Sequence, residues 1–139
     1  LVSRVIYTKE GADRDFVIVD AAMNDLIRPS LYEAHHGIRP VSKPAGGGNL
    51  QSVDVVGPVC ETGDTFTRAR ELPPISAGDL IVFDSAGAYG AVMASTYNAR
   101  PRVPEVMVRG DQFSIVRARQ SIEDMLNAET FADWQPATG

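Results

Sequence analysis

The stretch that decides the fold is VDVVGPVC, residues 53–60. It is rich in β-branched residues and predicts a strand. Its Gly57-Pro58 pair indicates a bulge or a sheet edge, because proline cannot donate a hydrogen bond to a strand ladder. The next residues, Glu61 to Asp64, enclose a glycine between carboxylates and predict a turn that leaves the strand. Short strands that end in polar turns recur along the rest of the chain.

Further β-rich segments lie on both sides of this strand. Leu1–Tyr7 and Asp15–Asp20 predict a hairpin, because turn-prone residues separate them. Later strands are predicted at Leu80–Phe83, Glu105–Arg109 and Phe113–Ala118. Short strands punctuated by glycine and proline, with no regular alternation of strands and helices, favour a mainly β protein. We expect an antiparallel β-sandwich or a Greek-key-like barrel with a few short helices.

Helical segments are predicted to be few and short. Apolar residues recur at helical spacing from Ala21 to His36, but Pro29 breaks a continuous helix. Ser121–Asp124 has the form of a capping box and predicts a short closing helix. We therefore expect residues 1–127 to form one domain and residues 128–139 a C-terminal tail that is loosely ordered after Phe131.

The composition is that of a globular domain with one core. The chain has 139 residues, of which 44% are hydrophobic and 22% charged, and its net charge is −5. Negative charge repels polyanions and no apolar run approaches the roughly 20 residues that span a bilayer, so neither nucleic acid nor a membrane is an expected partner. The single cysteine, Cys60, excludes an internal disulfide and favours the cytoplasm. The start at Leu1, without methionine, indicates a piece of a longer protein.

Cys60 and Glu61 are the first candidates for chemistry. A thiol beside a carboxylate on a loop could donate a proton and bind an ammonium group. The alternative is a small buried Cys60 and a solvated Glu61.

Arg28 and Tyr32 are the second candidate pair, because their i, i+4 spacing places both on one helix face, where they could bind a carboxylate. The alternative is that Arg28 caps a turn and Tyr32 lies at the edge of the core.

Tyr89 is the third candidate, because small residues on both sides let another group approach its hydroxyl. The turn Tyr97–Arg102 is aromatic and cationic, and both tyrosines could instead simply pack at the surface. Two other motifs are weaker indications of a functional site. The glycines at 46–48 predict a surface loop rather than a phosphate site. His35-His36 predict a surface or interface pair rather than a zinc site, so no metal is expected.

Four motifs acquire meaning when they are taken together and in order. They are DAAMNDLIRPSLY at 20–32, GPVCETGD at 57–64, GAYG at 87–90 and YNARP at 97–101. From about Leu1 to Leu126 the chain resembles the C-terminal domain of diaminopimelate decarboxylases. That family is similar to the alanine racemase-like enzymes that use pyridoxal phosphate and join an N-terminal (β/α)8 barrel to a C-terminal β-domain. The barrel, with its Schiff-base lysine, glycine loop and stacked histidine, is absent from this chain.

The resemblance implies a pyridoxal phosphate-dependent carboxy-lyase that converts meso-diaminopimelate to L-lysine and carbon dioxide in lysine biosynthesis. It implies that Arg28 and Tyr32 hold the distal carboxylate of the substrate and that Glu61 pairs with its distal ammonium. Tyr89 would contact cofactor and substrate, and Cys60 would donate the proton to the α-carbon. A homodimer is also implied, in which the Cys60–Glu61 loop enters the partner's site, so the fragment alone would be inactive. Thr62 stands where the family usually has serine.

Other functions stay open at this point. The same domain could belong to a decarboxylase of carboxynorspermidine, ornithine or arginine, although ornithine and arginine lack the distal carboxylate that Arg28 would bind. A non-catalytic β-sandwich binding module is a different class of function. A reading frame that continues upstream into a barrel would exclude that module.

Overall fold

The structure is a computed structural model that describes residues 1–42 and 48–135. Within these ranges the chain forms eight strands and two short α-helices, together with irregular turns at Gly87–Ala91 and Tyr97–Ala99. In chain order the elements are β1 Val2–Lys9, β2 Asp15–Val19, α1 Arg28–Tyr32, β3 Ile38–Pro40, β4 Gln51–Val56, β5 Thr65–Leu72, β6 Leu80–Phe83, β7 Glu105–Arg109, β8 Gln112–Arg117 and α2 Ile122–Leu126.

Six of the strands form one sheet, in the order β3-β6-β1-β2-β4-β5. The sheet curls into an almost closed barrel. Phe66 on the last strand and Phe83 on the second show this directly, since their ring centroids are 4.5 Å apart. The mainly β prediction and the β1–β2 hairpin are confirmed. The pairing is antiparallel except between β2 and β4, which are parallel because a long connection containing α1 and β3 separates them.

The predicted strand at 53–60 is wrong at its C-terminal end. β4 stops at Val56, and Val59 and Cys60 lie in the following loop, because Pro58 has no N–H for the ladder and the N–H of Val59 donates to the carboxylate of Asp64 at 2.7 Å. Strand β5, which returns from this loop, had not been predicted. Its buried residues Phe66 and Leu72 are separated by polar and small residues, so the sequence lacks a two-residue hydrophobic repeat.

The core consists of apolar side chains from all six strands of the curled sheet and from the segment after β2. Its members are Val5, Val17, Val19, Ala21, Leu26, Ile38, Val53, Val55, Phe66, Leu72, Ile81 and Phe83. Strands β7 and β8 form a separate two-stranded sheet, whose apolar side chains are exposed.

Both predicted short helices are present. At α2 the hydroxyl of Ser121 accepts from the N–H of Asp124 at 3.0 Å, and the Asp124 carboxylate accepts from the N–H of Ser121 at 2.8 Å. The prediction of a surface or interface histidine pair is wrong for His36, because this residue is only 4% exposed and its Nδ1 lies 2.9 Å from the carbonyl of Asp84. Gly46, Gly47 and tail residues 136–139 lie outside the described residues. In the described ranges, no helix is long and apolar enough to cross a membrane.

Candidate functional site

Helix α1 carries Arg28 and Tyr32 at its two ends. Pro29 lies in its first turn, where a missing N–H costs nothing, and Glu33 ends it in a left-handed conformation with φ 56°. Because the helix runs from Arg28 to Tyr32, these residues share one face, as predicted. Tyr32 is 60% exposed. Arg28 is half-buried, and its guanidinium has no ion-pair partner in the part of the chain that the structure describes.

The loop from Gly57 to Asp64 is held in place by a buried carboxylate. Asp64 is 2% exposed, and its oxygens accept from the backbone N–H groups of Met23 and Val59, both at 2.7 Å. Burial raises the pKa of Asp64, and these two hydrogen bonds oppose that rise. A Cβ on Gly57 would collide with the carboxylate, so only glycine fits there. Asp64 therefore ties the start of this loop to the segment before α1.

Cys60 and Glu61 lie at the exposed tip of the loop. The loop lies against α1: a Cβ added to Gly63 would be 2.9 Å from the hydroxyl of Ser30 and 3.5 Å from Oε1 of Glu61. The structure thus brings the carboxylate of Glu61 close to the helix that carries Arg28. The exposed Cys60 thiol excludes the alternative in which this cysteine is buried in the core.

Tyr89 lies in the turn Gly87–Ala91, with φ 56° and ψ −3°. This left-handed conformation is unusual for a tyrosine, and such strain is concentrated at functional sites. The side chain is 66% exposed. Gly90 packs on the buried side chain of Leu26, since a Cβ at that glycine would lie 3.3 Å from Leu26 Cδ1. The turn that holds Tyr89 therefore rests on the same segment before α1.

Tyr97 makes a contact that sequence reasoning missed. Its hydroxyl donates to Oε2 of Glu61 at 2.5 Å, across 36 residues of sequence. No spacing rule relates two residues so far apart. The sequence indicated only that residues 97–102 form an aromatic, cationic turn.

Residues 22–26, the central segment, connect these parts of the site. The N–H of Met23 donates to the carboxylate of Asp64, and the side chain of Leu26 packs against Gly90 in the turn of Tyr89. Asn24, which is 2% exposed, bonds to the backbone of Ser95 and to the guanidinium of Arg100. The central segment therefore joins α1, the Cys60–Glu61 loop and the turns at 87–91 and 97–99.

The predicted site residues lie on an open surface rather than in an enclosed cavity. A surface cavity of about 500 Å³ lies nearby, next to Asp20, Asp25, Arg100 and Arg119. It is lined by none of Arg28, Tyr32, Cys60, Glu61 and Tyr89. Exposed polar and aromatic groups that are held from beneath can bind a ligand, but they need a second surface to enclose it.

Comparison with known proteins identifies the family of this domain. Residues 1–87 match the family model "Pyridoxal-dependent decarboxylase, C-terminal sheet domain". A diaminopimelate decarboxylase of Zymomonas mobilis is 52% identical over 134 residues, which are 96% of this chain and 31% of that protein.

Solved structures of diaminopimelate decarboxylases have a similar fold. The diaminopimelate decarboxylase from Helicobacter pylori complexed with L-lysine has a TM-score of 0.83 at 43% identity, over 92% of this chain and 31% of that one. The diaminopimelate decarboxylase from M. jannaschii in co-complex with L-lysine has a TM-score of 0.88 at 33% identity, over 95% of this chain and 30% of that one. The chain thus spans about a third of the length of the relatives that it matches.

Proposed function

The chain belongs to the pyridoxal-dependent decarboxylases, whose C-terminal sheet domain it matches, and we therefore propose that the full-length protein is a diaminopimelate decarboxylase. It converts meso-diaminopimelate to L-lysine and carbon dioxide, and this domain supplies the substrate-binding part of its active site. The observation that carries the proposal is that the loop of Glu61 packs against the helix of Arg28, a guanidinium with no ion-pair partner among the described residues. A cation and an anion held on neighbouring elements suit a substrate whose distal end carries a carboxylate and an ammonium.

Arg28 and Tyr32 bind the distal carboxylate. A guanidinium offers a planar fork of donors that matches a carboxylate, and a half-buried guanidinium gains most from such a partner. In the residues that the structure describes Arg28 has no such partner, so it is available to the substrate. Tyr32 adds a hydroxyl donor from the next turn of the same face. Glu61 pairs with the distal ammonium.

Pyridoxal phosphate is the cofactor of the proposed enzyme, and this domain contributes contacts to it rather than the covalent bond. Tyr89 fits such a contact, because its phenol is exposed and Gly87 beside it has open space where a Cβ would be. Lys9 lies at the end of β1 and is exposed, and Lys43 is outside the described residues, so the sheet domain offers no buried lysine in its described ranges. When bound, the cofactor supplies the electron sink for loss of the carboxylate.

Cys60 donates a proton in the proposed reaction. When carbon dioxide leaves, the electron pair of the broken bond remains with the α-carbon, and Sγ of Cys60 delivers the proton that completes the product. The thiol is exposed at the tip of a loop that Asp64 holds, so another surface can reach it. We further propose that this surface is the active site of the partner subunit in a homodimer, and that the enzyme is cytoplasmic.

The test is carbon dioxide release from meso-diaminopimelate by the full-length protein and its variants. We expect Arg28→Ala and Glu61→Ala each to lower kcat/KM by about 100-fold or more, because each leaves a substrate charge unpaired. Arg68→Ala and Glu71→Ala are matched controls, since both residues are exposed on β5. They should keep wild-type activity. Undiminished turnover in both site variants would remove the assigned roles.

Ornithine separates this proposal from the related decarboxylases. It has no distal carboxylate, so it would leave Arg28 unpaired and should be a poor substrate. Turnover of ornithine at the rate of meso-diaminopimelate would favour the other decarboxylases. Family membership already disfavours a non-catalytic binding module.

A further inference from the structure

We propose that Tyr97 is a positioning residue for Glu61, whose carboxylate it fixes so that one oxygen is presented to the distal ammonium of the substrate. The inference rests on the proposed function, which assigns that ammonium to Glu61. It adds a specificity-determining residue from a different part of the chain.

The contact is a charge-assisted hydrogen bond. The phenol of Tyr97 donates to Oε2 of Glu61 at 2.5 Å. Bonds from a hydroxyl to a carboxylate are shorter and stronger than bonds between neutral groups. This hydrogen bond raises the pKa of Tyr97 above its usual value of 10.0, so the phenol remains a donor at neutral pH.

The second oxygen of Glu61 is left available. Oε1 lies beside Gly63, since a Cβ added to that glycine would be 3.5 Å from Oε1, and the same Cβ would be 2.9 Å from the hydroxyl of Ser30 on α1. Among the described residues, no donor forms a hydrogen bond to Oε1. The carboxylate therefore has one oxygen bonded to Tyr97 and one without a donor among the described residues, on the loop that packs against α1.

Tyr97 is itself held by a buried group, unlike most exposed hydrogen-bonding residues. The backbone carbonyl of Asn24 accepts from the N–H of Ser95 at 2.9 Å, and its Oδ1 accepts from Nε of Arg100 at 2.9 Å. Asn24 therefore fixes the chain on both sides of Tyr97. Arg100 also donates to the carbonyl of Asp20 at 2.6 Å. Exposed polar pairs on mobile side chains contribute little, whereas a pair with one fixed partner loses less entropy when it forms.

The physical consequence concerns binding of the ammonium. A free glutamate must give up rotamer freedom when it binds a ligand, and Tyr97 removes that cost before the substrate arrives. Loss of the phenol should therefore weaken binding of substrates that have a distal ammonium. It should not affect a substrate that lacks this group.

The experiment uses the full-length holoenzyme with Tyr97→Phe, Glu61→Gln, the double variant and Tyr7→Phe. Tyr7 is a matched control, because it is 50% exposed, as Tyr97 is, and lies on β1. Two substrates are compared: meso-diaminopimelate, and 2-aminopimelate, which has both carboxylates but no distal ammonium. We expect Tyr97→Phe to lower kcat/KM for meso-diaminopimelate about tenfold, mainly through KM, and to leave 2-aminopimelate unchanged. The change should add nothing in the Glu61→Gln background, and Tyr7→Phe should match wild type.

Equal losses on both substrates, or additive losses in the double variant, would overturn the inference in favour of a general structural role. An inactive wild type would instead overturn the proposed function, and with it the role toward the ammonium. Spectrophotometric titration at alkaline pH then tests the hydrogen bond between Tyr97 and Glu61 independently of activity, because it follows ionisation of the phenol. The ionisation of Tyr97, obtained as the difference between wild type and Tyr97→Phe, should move to lower pH in Glu61→Gln. An unmoved ionisation shows that the phenol does not hold the carboxylate.

Discussion

The face around the central segment and the β7–β8 hairpin distribute polar and apolar residues in opposite ways. Beneath the first, Asn24, Asp25 and Asp64 are each at most 6% exposed, and the candidate site residues lie above them. In the hairpin, Val108 and Phe113 face each other across the strands and are 68% and 75% exposed. One region has polar groups inside and the other has apolar groups outside.

The difference shows what each region can hold in place. Buried polar groups must find hydrogen-bond partners, and such bonds are directional, so they fix the geometry of the loops above them. Apolar burial is not directional, and the hairpin has little of it. A two-stranded sheet by itself is only marginally stable, and a large exposed apolar patch is typical of an interaction surface.

The largest expected effect is on the free energy of unfolding, when a phenylalanine of the core and one of the hairpin are each replaced by alanine. In the 139-residue chain, Phe83→Ala should lower the free energy of unfolding by about 4 kcal/mol, because it leaves a cavity where Phe83 is 1% exposed. Phe113→Ala should change it by less than about 0.5 kcal/mol. Urea denaturation followed by far-ultraviolet circular dichroism measures both. A cost above about 1 kcal/mol for Phe113→Ala would mean that the hairpin is covered, which would break the comparison.

A smaller effect is expected from the buried carboxylate beneath the site. Asp64→Ala leaves the N–H groups of Met23 and Val59 without an acceptor and should cost about 3 kcal/mol. Asp13→Ala is the control, because Asp13 lies exposed in the turn between β1 and β2. The same denaturation experiment applies, with hydrogen exchange of the two amides as a local probe. If exchange at Met23 and Val59 stayed slow in Asp64→Ala, other groups would hold the loop.

The smallest expected effect is on the pH dependence of stability, because the pKa values of two carboxyl groups shift in opposite directions. Burial raises the pKa of Asp25, in the central segment, whereas hydrogen bonds from Ser121 lower the pKa of Asp124, in the helix after the hairpin. The contribution of Asp25 to stability is therefore present at low pH and is lost as pH rises through its folded pKa. That of Asp124 is present above pH 3.8 and is lost as pH falls through its folded pKa. Carboxyl titration by NMR should place Asp25 above 3.8 and Asp124 below it, and the reverse order would contradict this account.

The sequence predicted those features that depend on neighbouring residues. The β1–β2 hairpin, α1 and the capping box of α2 follow from local spacing and are present in the structure. Strand β5 could not be predicted, because it has no hydrophobic alternation and is stabilised by its pairing with β4. β4 ends earlier than its sequence pattern predicts, because β-branched Val59 continues that pattern past Pro58, which cannot donate to the ladder.

The sequence by itself determined a mainly β domain of a known family and the residue types that could do its chemistry, since motifs and short-range periodicity are local properties. The tertiary structure alone decided which of those residues meet. It brought Glu61 to α1 and to Tyr97, and it used Asn24 and Asp64 to hold the loops from beneath. The physical reason is that a buried polar group takes its partners from whatever the folded chain brings within about 3 Å, and no pattern along the sequence specifies those partners.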